Sequence, residues 1–165
     1  MQSNPPLPSH VAWTRAVALV RRDFVVIHDT FDASGEHDYQ VLFHFPPRDV
    51  AIDGDHHSLV VRGEDGVRIV PAAPEAPDGI TLVPEAVSIK GVSTLAPMAA
   101  CSFKRSGPVH TFFVIVPCAD AEPKPVVTRT ADREGLLLSV AGGRIGKTTV
   151  LFSSGGARIA GPSRR

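Results

Sequence analysis

Apolar and polar residues alternate with a period of two through most of this chain, in short runs rich in β-branched residues and bounded by glycine, proline and aspartate. Side chains of an extended strand point alternately to opposite faces, so this pattern specifies strands that turn one face to a core. No segment carries the three-and-four spacing of an amphipathic helix. The turn signals follow one another too closely for helical crossovers between parallel strands, which leaves antiparallel pairing. The chain is therefore expected to be all-β, an antiparallel β-sandwich of about 12 strands. The alternation predicts strands over 13–21, 24–29, 37–45, 58–63, 67–71, 79–84, 86–90, 98–104, 109–116, 124–130, 135–140 and 147–153. Pro71 to Pro77 holds three prolines, which remove donors and fix an extended backbone, and is expected as a loop.

A length of 165 residues suits one domain that buries roughly two-thirds of its unfolded surface. The expected division is a flexible N-terminal segment over 1–12, the sandwich over 13–154 and a flexible tail over 155–165. Seventeen basic residues balance 17 acidic ones, with no long run of either sign, so the sequence carries no electrostatic footprint for nucleic acid or a membrane surface. No apolar run approaches membrane-spanning length. Met1 to His10 is polar and proline-rich, with no signal-peptide pattern.

The first two strands fix their own register. Joined through Arg21, Arg22 and Asp23, they place Leu19 opposite Val25, Val17 opposite Ile27 and Arg15 opposite Asp29. Ala16, Ala18, Val20, Phe24 and Val26 occupy the other face, so the hairpin is apolar on both sides. Such a hairpin is covered on both faces, either centrally within the sandwich or against another domain. Arg15 and Asp29 are expected to form a structural ion pair. A second hairpin, 98–104 with 109–116 around Arg105 to Pro108, would put Cys101 opposite about Phe112 and leave Cys118 well beyond bonding reach. Two thiols are therefore expected rather than a disulfide.

The run Arg15 to Asp29 (RAVALVRRDFVVIHD), then Gly35 to Tyr39 (GEHDY) and Val41 to Phe45 (VLFHF), resembles the start of the C-terminal β-sandwich domain in heparinase II/III-like polysaccharide lyases. The family pattern there is an arginine-led strand, an apolar strand ending in aspartate, and a histidine-x-tyrosine strand that closes on histidine and an apolar residue. Gly91 to Ser93 and Pro108 to Pro117 continue the likeness, with Val92 where a tryptophan is usual. The resemblance implies a helical catalytic domain that precedes the sandwich, and a cleft between them for an acidic polysaccharide. It also implies β-elimination at a uronic acid, in which a base removes the C5 proton and the glycosidic oxygen leaves from C4. A periplasmic or secreted setting follows from the same resemblance. Most of the chemistry would lie in the helical domain, so this chain alone is expected to be inactive. The family also uses a histidine from the sandwich at the cleft edge, for which His10 is the candidate catalytic residue here. A stand-alone carbohydrate-binding or structural sandwich is the alternative, and its mark would be an exposed aromatic platform.

Some members of the family hold a metal in the sandwich, and Asp29 with His37, flanking the turn Thr30 to Glu36, offers carboxylate and imidazole for zinc or calcium. The competing expectation is that Arg15 already occupies Asp29. Tyr39 shares a strand face with Val41, Phe43 and Phe45 and reads as core or interface rather than as a mobile base. His44 reads as a strand-end histidine hydrogen-bonded within the sandwich. His56 and His57 follow Asp53 and Asp55 in a turn, but neighbouring residues on an extended chain point apart. Ala141 to Thr148 (AGGRIGKT) nearly matches a phosphate-binding loop, yet it leads into a strand rather than a helix and is expected as a glycine-rich hairpin turn.

Overall fold

The computed structural model describes residues 11–53, 58–73, 75–117, 124–133, 135–142, 145–153 and 156–160. Among them are thirteen strands and no α-helix. These are β1 (Ala12–Val20), β2 (Phe24–Asp32), β3 (Glu36–His44), β4 (Val50–Ile52), β5 (Leu59–Val61), β6 (Val67–Pro71) and β7 (Gly79–Ile89), then β8 (Val92–Ser106), β9 (Val109–Pro117), β10 (Val126–Asp132), β11 (Gly135–Gly142), β12 (Gly146–Ser153) and β13 (Gly156–Ala160). All the strand pairings are antiparallel, which makes the molecule the expected all-β sandwich.

The strands form three sheets, one six-stranded (β1-β2-β9-β6-β5-β4), one four-stranded (β10-β11-β12-β13) and one three-stranded (β3-β8-β7). Alternation explains how they stack. On β2 and β9, Val26, Phe112 and Val114 point to one face, where they join Val127, Leu138, Val140, Val150 and Phe152 of the four-stranded sheet. Phe31, Val109 and Phe113 point to the other, where they meet Tyr39, Val41, Cys101 and Phe103 of the three-stranded sheet. The six-stranded sheet is thus the middle layer, with a core on each side. Phe112, Phe113 and Val114 are successive and all buried, as a strand covered on both faces requires.

The β1/β2 register is the expected one, with Leu19 opposite Val25, Val17 opposite Ile27 and Arg15 opposite Asp29. Three other expectations are corrected. Segments 98–104 and 109–116 do not form a hairpin, because β8 pairs with β3 and β7 whereas β9 runs between β2 and β6 in the middle sheet. The turn at Gly107, with φ of +74°, carries the chain across from one layer to the next. Segments 79–84 and 86–90 are one continuous strand, joined to β8 by the two-residue turn Lys90-Gly91, both at positive φ as a tight hairpin of the primed type demands. Residues 156–160, expected in the tail, add β13 to the edge of β12. Ala141 and Gly142 lie on β11 and Gly146 opens β12, so the phosphate-loop look-alike is a hairpin as expected, its Gly143 and Arg144 lying outside the described residues.

Candidate functional site

Asp29 is fully buried, and a carboxylate there must be compensated. Its compensation comes from across the hairpin. Arg15 Nε donates to Asp29 Oδ1 at 2.6 Å and Arg15 Nη2 to Oδ2 at 2.9 Å, a bidentate pair, while Trp13 Nε1 donates to Oδ1 at 3.2 Å. The carboxylate in turn raises the Arg15 guanidinium above its ordinary pKa, chiefly through the hydrogen bond. The guanidinium carbon also lies 5.3 Å from the centre of the Trp13 ring. The structural ion pair expected from the register is therefore formed.

Around Arg15 the β1 surface of the hairpin is apolar and exposed. The three-stranded sheet caps the middle sheet from β4 as far as Ile27 and Phe31 of β2, and β1 lies beyond it. Val17 is 64% exposed, Leu19 67% and Trp13 56%, all on the Arg15 face of β1, with Val11 continuing the row. Val25 and Ile27 beside them on β2 are half-buried. Among the described residues, burial within the chain covers the Val20, Phe24 and Val26 side and, on the Arg15 face, Asp29 and Phe31 of β2, but not the β1 row of Trp13, Val17 and Leu19. Such a row of large apolar side chains left in water is a candidate interaction surface.

On that buried side, β2 and β9 bring two histidines together. His28 Nε2 lies 3.1 Å from His110 Nδ1, and Thr30 Oγ1 lies 3.3 Å from the first nitrogen and 3.2 Å from the second. The His28 ring stacks on Phe112 with centroids 4.1 Å apart and meets the edge of Phe152 at 5.3 Å. Both imidazoles line a cavity of about 440 Å³ with Ala16, Leu136, Phe152 and Ala157. Burial, then the neighbouring His110, pushes His28 down to about 4, with Asp29 opposing and Arg129 adding slightly. Burial also lowers His110. Both shifts favour the neutral imidazole.

The unfolded chain takes up a proton at His28 near pH 6.5 and the folded chain resists it, so the stability present above pH 6.5 is lost as pH falls towards 4. Allowing for the ring's partial exposure, the loss is about 1–3 kcal/mol. In thermal melts in buffer with EDTA, His28→Gln is expected to flatten the decline in Tm between pH 6.5 and 4. An unchanged decline would remove His28 as its source.

The remaining candidates are dispersed. His10, His56, His57 and Cys118 lie outside the described residues. Cys101 is a buried free thiol, its pKa pushed up to about 12 by burial. The hairpin that would join Asp29 to His37 is not formed: β2 and β3 belong to different sheets. Asp29 is engaged by Arg15 and Trp13, and His37 Nε2 bonds the Ser34 carbonyl at 2.9 Å. This pair does not fit a metal, and among the described residues no three histidine, cysteine, aspartate or glutamate side chains form a metal-holding group. Asp53 is taken up by Ser58 and Arg68. Tyr39 is 5% exposed against Phe31, in the core as expected. His44 ends β3 and bonds Glu85 at 2.7 Å, as a strand-end histidine should. The His28/His110 pair escaped the sequence reading. Its one signal was a histidine inside each of two apolar strands, and nothing local says those strands are neighbours.

No protein-family model matches the chain, and no curated protein matches its sequence. Solved structures match its fold. A mutant of the heparan sulfate lyase HepC from Pedobacter heparinus aligns with a TM-score of 0.70 at 13% identity, over 90% of this chain and 24% of that one. A heparinase III with methylated lysines aligns at 0.70 and 18% identity, over 84% and 23%. A further HepC structure from Pedobacter heparinus aligns at 0.65 and 11% identity, over 95% and 24%. The chain spans about a quarter of the length of these structures. It is an all-β sandwich that shares its fold with one region of heparinase III-type lyases.

Proposed function

We propose that this chain is the β-sandwich of a heparinase II/III-type polysaccharide lyase, docked through the uncovered β1/β2 face on a helical catalytic domain. The observation that carries the proposal is that face. On the Arg15 face of the hairpin, β2 is buried at Asp29 and Phe31, whereas Trp13, Val17 and Leu19 of β1 stand in water. The fold it shares with lyases about four times its length supports the same reading. In this assembly the sandwich forms one wall of a cleft for an acidic polysaccharide, in a periplasmic or secreted enzyme. The bond between C4 and the glycosidic oxygen breaks after a base takes the C5 proton, made acidic by a neutralised uronic carboxylate. The acid and base groups come mainly from the helical domain, with His10 the sandwich's own candidate at the cleft edge. The Arg15–Asp29 pair holds the hairpin rigid beneath the docking face.

The isolated chain is accordingly expected to give no rise in ultraviolet absorbance with heparan sulfate, alginate or chondroitin, the signal of an unsaturated product. Turnover by the chain alone would move the active site into the sandwich and overturn the proposal. One observation favours a second reading, a stand-alone carbohydrate-binding sandwich: Trp13 is an exposed aromatic ring with a guanidinium beside it. Retention on a glycan array, lost in Trp13→Ala without any helical partner present, would favour that reading.

A further inference from the structure

The lyase reading makes no use of the pocket beside His28 and His110. We propose that His28 Nε2 and His110 Nδ1 form a binding site for a divalent ion of the zinc class. Two imidazole nitrogens bound to one tetrahedral zinc at about 2.0–2.1 Å are about 3.3 Å apart. The pair stands at 3.1 Å, so a shift of a few tenths of an ångström admits the ion. The proton count points the same way. One hydrogen can lie between the two nitrogens and the Thr30 hydroxyl supplies one more, so one of the three mutual contacts within 3.3 Å has no hydrogen of its own. With the facing nitrogens unprotonated, two lone pairs converge and the ion takes the place of the shared hydrogen.

The surroundings suit this ligand. Burial favours the neutral form of both imidazoles, the form that binds metal. Phe112 and Phe152 clamp the His28 ring, and β2 and β9 are directly paired, so the ligands sit on rigid backbone. Thr30 Oγ1 is within reach of a third position, and the cavity of about 440 Å³ admits water to the rest. Imidazole ligands with open positions favour zinc, copper and nickel over calcium or magnesium, which take oxygen.

Titration calorimetry with zinc chloride at pH 7.5 tests the site. One equivalent is expected to bind with a micromolar Kd, weakened roughly tenfold or more by His28→Gln or by His110→Gln. The double change His56→Gln/His57→Gln should leave binding as it was. In the unaltered chain, histidine ring resonances of His28 and His110 alone should shift on zinc addition, a readout that needs no variant to fold. Absence of zinc binding, binding lost with His56 and His57, or shifts confined to other histidines would each overturn the proposal. None of these outcomes bears on the helical partner, so the lyase reading stands or falls separately.

Discussion

Replacing Arg15 with methionine is expected to cost about 3–5 kcal/mol and to lower Tm by roughly 6–20 °C. The substitution keeps an apolar stem over Asp29 but removes both guanidinium hydrogen bonds, and the carboxylate left behind is fully buried. Among the described residues only Trp13 Nε1, at 3.2 Å, would remain to compensate it. The intact pair need not contribute much by itself, because desolvating both charges offsets most of their attraction. Breaking one side is what costs. Arg15→Met with Asp29→Asn should therefore be more stable than Arg15→Met alone, and the double-mutant cycle should show strong coupling. A loss under 1 kcal/mol for Arg15→Met, in thermal or urea unfolding, would show that water reaches Asp29.

Val17→Asp with Leu19→Asp is expected to weaken association with the helical partner by about two orders of magnitude or more, because two apolar anchors become desolvated charges. The same double substitution should change the isolated chain's stability by about 1 kcal/mol or less, since both side chains already face water. Binding is read by calorimetry or surface capture with the helical polypeptide encoded with this chain, and folding by thermal melt. A large fall in Tm with unchanged binding would mean that this face is covered from within the chain.

Local pattern reached some of this and not the rest. The β1/β2 register and the Arg15–Asp29 pair were legible because a short hairpin turn fixes which residues stand opposite, and alternation does the remainder. The doubly apolar hairpin already implied a second covering layer. Sheet membership was not legible: β8 and β9 are adjacent in sequence and both alternate, yet one lies in the outer sheet and the other in the middle one. Their pairing is decided by distant strands, β3 and β7 for the first, β2 and β6 for the second. The same blindness hid the His28/His110 pair, which exists only because β9 inserts beside β2, 82 residues away. β13 was missed because Gly156 to Ala160 has almost no alternation of its own and takes its conformation from the edge of β12.

The most direct test of the lyase assignment is reconstitution. The helical polypeptide encoded with this chain, joined to it or separate, is mixed with an acidic polysaccharide, and unsaturated product is followed by ultraviolet absorbance with and without the sandwich. Product formation that requires both parts, and that falls when Val17 and Leu19 carry aspartate, is the predicted result. Full turnover by the helical part without this chain, or the absence of any helical polypeptide that binds it, would contradict the account.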